Sequence, residues 1–258
     1  MIGALAGDIV GSVYEAAPIK TKDFPLFGPA CRFTDDSVLT VAVGTAILES
    51  QPYLEAIRNF GQRYPGAGYG ASFYNWLASP DPRPYNSWGN GSAMRVSAVG
   101  FAFENENAVL AEAQRSAECT HNHPEGIKGA QSVALAIFLA RKGANKKEIR
   151  RVLEERFGYD LHRSLDELRP GYTFDISCQG SVPESIICFL EGQNWESTVR
   201  NAISLGGDSD TMACIAGGIA EAFYGPVPSA VCDQVRNALS DELWQATERF
   251  CRQFVNAA

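Results

Sequence analysis

The chain has 258 residues, 45% of them hydrophobic and 20% charged, enough to bury the core of one domain or at most two. Lys+Arg 22 against Asp+Glu 30 leaves a net charge of -8. That balance argues against a general binder of nucleic acid or anionic membranes, which would carry a basic patch, and suits a protein able to hold cations.

The seven cysteines (Cys31, Cys119, Cys178, Cys188, Cys214, Cys232 and Cys251) are scattered, odd in number and never spaced C-x-x-C. They indicate neither a disulfide framework nor a zinc site, and most read as small hydrophobes of a core in a reducing, cytoplasmic compartment. The opening MIGALAGDIVGSVYE lacks a basic leader and meets Asp8 early, so it does not read as a signal peptide. No later stretch offers the ~18 uncharged apolar residues of a membrane span.

Gly3, Gly7 and Gly11 recur every four residues, which aligns them on one helix face and predicts close packing against another backbone. No Gly-Lys-Ser/Thr follows, so the segment is not a phosphate loop. Asp8 and Glu15 are seven residues apart and fall near one side of a helix, since two turns take about 7.2 residues. Residues 18–33, with Pro18, Pro25, Gly28 and Pro29, read as a loop that delivers Phe33-Thr34-Asp35-Asp36-Ser37. Apolar spacings of three and four predict helices at 38–50, 53–63 and 69–79. A Pro- and aromatic-rich loop covers 79–92, followed by helices at 93–104, 106–119, 124–141 and 148–158, the last ending on a glycine stop. After a second loop at 169–180 come helices at 182–191, 195–204, 209–224, 228–239 and 241–254. Few stretches alternate with period two. The expected architecture is one all-α domain over 1–258, built from a dozen or so helices, and a monomer.

Gly206 and Gly207 lead into Asp208-Ser209-Asp210-Thr211 and then an apolar run to Tyr224. One acid or hydroxyl suffices to cap a helix, so two aspartates here exceed what capping needs. Thr34-Asp35-Asp36 repeats the arrangement before its own helix. Both clusters lack cysteine and histidine, and all-oxygen donors select Mg²⁺, Mn²⁺ or Ca²⁺. Four carboxylates on one cavity would repel strongly, and two divalent cations would neutralise them. Ser87-Trp88-Gly89-Asn90-Gly91-Ser92 offers glycine amides ahead of a helix, suited to an anion such as phosphate, with Trp88 able to stack on a base. Arg95 reads as a helix-surface residue or a structural ion pair. In Thr120-His121-Asn122-His123-Pro124, His121 is a candidate hydrogen-bonding partner of substrate and His123 orders the turn. His162 lies in a charged, exposed region.

These motifs stand in the order found in the ADP-ribosylglycohydrolase family. The chain resembles that family from GALAGDIVGSVYE through FTDDS, WGNGSAMR and THNHPEG to SCQGSVPES and GGDSDT. The resemblance implies an all-α orthogonal bundle, a binuclear Mg²⁺ or Mn²⁺ centre and cleavage of ADP-ribose from a modified protein or small acceptor. It implies Thr34, Asp35, Asp36, Asp208, Asp210 and Thr211 as metal ligands. It also implies Ser87, Trp88, Gly89, Asn90, Gly91 and Ser92 as a diphosphate cradle and His121 as a substrate contact. Glu15 matches an acid found in hydrolases of serine-linked ADP-ribose, whereas THNHP is closer to the arginine-directed members, so the two point to different acceptors. Glu15 or Asp35 is the implied general acid/base. Two other readings stay open: a Mg²⁺-dependent phosphohydrolase, which would cleave model phosphate esters, and a catalytically silent ADP-ribose binder, which would bind without turnover.

Overall fold

The computed structural model describes residues 1–255; the last three residues of the domain expected over 1–258 lie outside them. In chain order the helices are α1 (Ile2–Gly11), α2 (Asp35–Glu49), α3 (Tyr53–Arg63), α4 (Ala71–Ala78), α5 (Gly91–Met94), α6 (Ser97–Ala102), α7 (Glu106–Glu118) and α8 (Pro124–Arg141). They continue with α9 (Lys146–Phe157), α10 (Leu165–Leu168), α11 (Cys178–Glu191), α12 (Trp195–Ile203), α13 (Ser209–Tyr224), α14 (Ser229–Ala238) and α15 (Asp241–Phe254). Among the described residues there is no strand, and one antiparallel bridge pairs Gly89 with Ser177. The all-α expectation holds.

The centre is the antiparallel pair α1–α13, and the glycine spacing explains it. A Cβ built on Gly3 would lie 2.6 Å from the Gly217 carbonyl oxygen, and one on Gly11 would lie 2.5 Å from that of Ser209. At Gly7 it would sit closer still, on the Ala213 carbonyl. The partners 217, 213 and 209 descend in steps of four as 3, 7 and 11 ascend. Two backbones therefore meet with no side chain between them over two turns. Helix α13 is buried from Ser209 to Glu221 and packs also on α8, α11 and α12. Helix α2 joins the other flank, against α1, α3 and α15.

Several expected boundaries shift, three of them for a clear local reason. Helix α2 starts at Asp35, not 38, because the Thr34 hydroxyl oxygen accepts from the Asp36 amide as an N-cap. The helix expected over 93–104 is two short ones, interrupted at Arg95 and Val96. Helix α11 begins at Cys178, ahead of its internal Pro183, with Ser177 accepting from the Gly180 amide. The glycine stop of α9 is as expected: Gly158 sits at φ +65°.

Replacing Gly7 by alanine forces the α1 and α13 backbones apart. Chemical denaturation should show a loss of about 1–3 kcal/mol or more. Gly28→Ala, where a Cβ meets nothing within 4 Å, should stay within about 0.5 kcal/mol.

Candidate functional site

The α1–α13 contact sets the C-terminal end of one helix beside the N-terminal end of the other. Gly206, at φ +67°, turns the chain into α13, a conformation that favours glycine. Asp208 occupies the N-cap position, yet its side chain caps nothing. Its Oδ2 instead accepts from Asn90 Nδ2 at 2.8 Å. The Thr211 hydroxyl donates to Asp36 Oδ2 at 3.2 Å, joining the two acidic clusters across 175 residues of sequence.

Asp8 holds the start of α2 in place. Its carboxylate accepts from the Thr34 hydroxyl at 2.6 Å, from the Thr34 and Ser37 amides at 3.0 and 3.1 Å, and from the Ser37 hydroxyl. The sequence placed Asp8 only on the flank of an apolar helix. The available signal was an acid between Gly7 and Gly11, on a helix whose glycines already demanded burial. The shared helix face expected for Asp8 and Glu15 is corrected: α1 ends at Gly11, so Glu15 reaches the site from the bend beyond it.

Carboxylate oxygens of Asp8, Asp36 and Asp210 lie within 4.8 Å of one another, and so do those of Glu15, Asp208 and Asp210. Burial, reinforced by the Asp210 charge, pushes Asp8 up to about 7. Burial followed by Asp210 and Asp8 pushes Asp35 up to about 8. Asp36 and Asp208 are raised well above the carboxylate range, again by burial first and Asp210 second. Glu15, exposed at the mouth, is raised by desolvation and Asp210, with Arg32 opposing. Asp36 Oδ1 is buried and has no hydrogen-bond partner among the described residues. An orphaned buried oxygen within an all-oxygen, mutually repelling donor set fits one or more hard cations. Asp35, Asp36, Asp208, Asp210 and Thr211 line one cavity and could hold them; Thr34 lies outside that lining, its hydroxyl engaged by Asp8 and the Asp36 amide, and Asp8, with its oxygens satisfied by Thr34 and Ser37, braces the start of α2.

Glu15, Asp35, Asp36, Asp208 and Asp210 line a cavity of about 500 Å³. Ser87, Gly89, Asn90, Gly91 and His121 face it, and Phe174 and Ile176 stand exposed at the rim. The loop at 87–92 is held by its own bonds. The Gly89 amide donates to Ser87 Oγ, and the Asn90 amide to the Ile176 carbonyl. Ser92 is buried, donates to the Gly126 carbonyl and lies outside the cavity lining. Trp88 is also outside the lining, 53% exposed and edge-on to His123. His123 accepts from the Glu125 amide, ordering the turn into α8, and His162 is exposed.

Arg95 departs from its expected surface position: it is fully buried and lines the cavity. The break between α5 and α6 turns its side chain inward, where Nη2 donates to the Ser116 carbonyl and Thr120 Oγ1 at the end of α7. Free carbonyls at a helix C-terminus favour a cation. Tyr85, Phe174 and Ile176 are further lining residues that the sequence did not single out as site residues.

The family model described as ADP-ribosylglycohydrolase matches residues 1–258. The chain belongs to the ADP-ribosylglycohydrolase family. ADP-ribosylhydrolase ARH3 of Mus musculus is 29% identical over 312 residues, covering 87% of this chain and 82% of that protein. The putative ADP-ribosyl glycohydrolase L543 of Acanthamoeba polyphaga mimivirus is 27% identical, covering 97% and 92%. A solved structure, an ADP-ribosylglycohydrolase-related protein complex, superposes with TM-score 0.73 at 26% identity and covers 97% of this chain and 96% of its own. Membership makes the chain a hydrolase, and the cavity its candidate active site. No helix among the described residues is long and apolar enough to cross a membrane.

The raised carboxyls carry a stability consequence. In the folded protein, Asp8 and Asp35 keep protons up to about 7 and about 8, against an ordinary 3.8 when unfolded. Between those limits the folded state binds more protons, so stability is greatest at the acid side and falls as pH rises. With divalent cations chelated, the urea midpoint should be lower at about pH 8 than at about pH 5, and Asp35→Asn should shrink the difference.

Proposed function

We propose that this protein hydrolyses the glycosidic bond between ADP-ribose and an acceptor, a modified protein side chain or a small derivative, with two Mg²⁺ or Mn²⁺ ions held at the acidic cluster. The observation that carries this reading is the convergence of two helix-start carboxylate clusters on one cavity whose lining also includes a glycine loop and a histidine. The relatives, an ADP-ribosylhydrolase and a putative ADP-ribosyl glycohydrolase by name, support the ADP-ribosyl substrate.

Asp35, Asp36, Asp208, Asp210 and Thr211 would hold the ions. When bound, they supply charge neutralisation and Lewis acidity toward substrate oxygens. The rest falls to the chain itself. Asp8 and Asn90 fix the directions of Thr34 and Asp208 through the hydrogen bonds above. The Gly89–Gly91 backbone leaves room for a diphosphate to lie close, and His121 offers a ring nitrogen to it. Departure of the acceptor leaves an oxocarbenium-like ribose, which the lining carboxylates stabilise electrostatically and a water molecule captures, its proton replacing the one the acceptor takes away. Glu15 is the better placed of the two proton-transfer candidates. It is exposed at the mouth while its carboxylate reaches Asp208 and Asp210, so it can exchange a proton between cavity and solvent. Asp35, pinned through its amide to the Ala67 carbonyl at 2.9 Å, serves as a ligand.

The test is mass-spectrometric release of ADP-ribose from arginine-, serine- and base-linked substrates with Mg²⁺ or Mn²⁺. Glu15→Gln should lower kcat by about 10²–10⁴-fold while calorimetry still shows cation binding. Asp35→Asn and Asp36→Asn should lose cation binding and turnover together. No release from any substrate, or undiminished release by Asp36→Asn, would overturn the proposal.

A further inference from the structure

Behind the histidine of the cavity lies a chain of hydrogen bonds that ends in a buried cation. Arg95 Nη2 has two protons. One goes to the Ser116 carbonyl at 2.8 Å and the other to Thr120 Oγ1 at 2.9 Å. Thr120 Oγ1 lies 2.7 Å from His121 Nδ1. All three residues are buried: Arg95 and Thr120 fully, His121 to 5% exposure.

The direction of each bond follows from what the groups can donate. A guanidinium only donates, so Thr120 Oγ1 accepts from Arg95. The hydroxyl then has one proton of its own, and among the described residues His121 Nδ1 is its one other partner. Were Nδ1 to carry a proton, the hydroxyl would accept twice and its own proton would be stranded in a dry site, at a cost comparable to a lost hydrogen bond. The satisfied arrangement has the hydroxyl donating to a bare Nδ1, which puts the imidazole proton on Nε2.

That nitrogen faces the glycine loop. A Cβ on Gly91 would come within 3.0 Å of His121 Nε2, and one on Gly89 within 3.5 Å. The two glycines therefore leave clear the side from which Nε2–H meets a ligand. Burial, with the Arg95 charge second, also holds the His121 pKa well below the usual histidine value.

We propose that Arg95 and Thr120 are positioning residues that lock His121 as a neutral Nε2–H donor aimed into the cavity, where it recognises an acceptor oxygen of the substrate. Identifying that substrate as ADP-ribosylated rests on the function proposed above; the tautomer does not. The device delivers a donor without delivering a mobile proton. Arg95 acts through Thr120 and contributes its orientation to the ring.

Nitrogen-15 NMR of the histidine-labelled full-length protein tests the tautomer directly, with His121→Gln identifying the resonance. The expected spectrum shows a pyrrole-type, protonated Nε2 and a pyridine-type, bare Nδ1. Thr120→Val should mix the tautomers and raise KM for an ADP-ribosylated substrate about three- to tenfold, the scale of one hydrogen bond, with kcat little changed. Thr120→Ser should restore both the spectrum and KM, which separates a lost hydroxyl from a lost fold. An imidazolium or an Nδ1-protonated ring in the wild type would overturn the proposal. So would a Thr120→Val protein with the wild-type spectrum, or with unaltered KM. If the wild type releases no ADP-ribose while its spectrum is as expected, the function reading has failed and the histidine lock stands.

Discussion

Everything at the site depends on two helix backbones touching without side chains between them. Gly3, Gly7 and Gly11 let α1 lie directly on the carbonyls of α13, and that approach settles where each helix ends. Because the pair is antiparallel, Asp8 on α1 comes level with Asp210 at the start of α13. Asp8 in turn holds Thr34 and Ser37, which sets the start of α2 at the same point. One steric fact thus fixes three chain segments to within hydrogen-bond reach, including the link from Thr211 to Asp36. A wider α1–α13 separation would leave every helix intact and the acidic cluster dispersed.

That cluster works against folding. Asp8, Asp36, Asp208 and Asp210 are all buried, and each carboxyl that burial raises is raised further by Asp210. Desolvated like charges of this kind persist where surrounding structure enforces them. Here the enforcing structure is a small-residue core with little freedom to relax. Helix N-termini add partial positive charge at the two cluster-bearing ends, but the Asp36 oxygen left without a partner marks the deficit they do not cover. The same repulsion that weakens the fold supplies affinity for a cation.

The sequence made the helices legible through their three- and four-residue spacing, and the site legible through acids in excess of capping. The glycine repeat at 3, 7 and 11 was read for what it does. What escaped were residues whose roles are set by a partner remote in sequence. Asp8 belongs to α2 and α13 as much as to its own helix. Arg95 carries no local sign that the chain breaks between α5 and α6 and turns its side chain toward α7. Thr120 looks like any residue before a histidine until Arg95 arrives beneath it. The glycine loop was legible as a turn before a helix, but two of its amides are already used on Ser87 and Ile176. Its contribution to the cavity is thus room more than donors. Segment 169–180, read only as a loop, supplies the rim residues Phe174 and Ile176 because the Gly89–Ser177 bridge ties it to the glycine loop.

The cavity lining therefore carries charge of both signs. Glu15 from the bend after α1, Asp35 and Asp36 at the start of α2, and Asp208 and Asp210 at the start of α13 line the cavity. Arg95 lines it too, buried without an acidic partner among the described residues, its Nε and Nη1 unpaired. A buried charge with few counter-groups acts over longer distances than a solvated one, since the medium around it screens little. That charge reaches the cavity through Thr120 and His121, the pair it is hydrogen-bonded to. A neutral His121 suits that arrangement. A second cation there would repel Arg95, whereas a neutral donor adds direction to a field the arginine already provides. The charges that line the cavity are thus placed by two helix starts, the bend after α1 and one helix break, each fixed by packing away from the cavity.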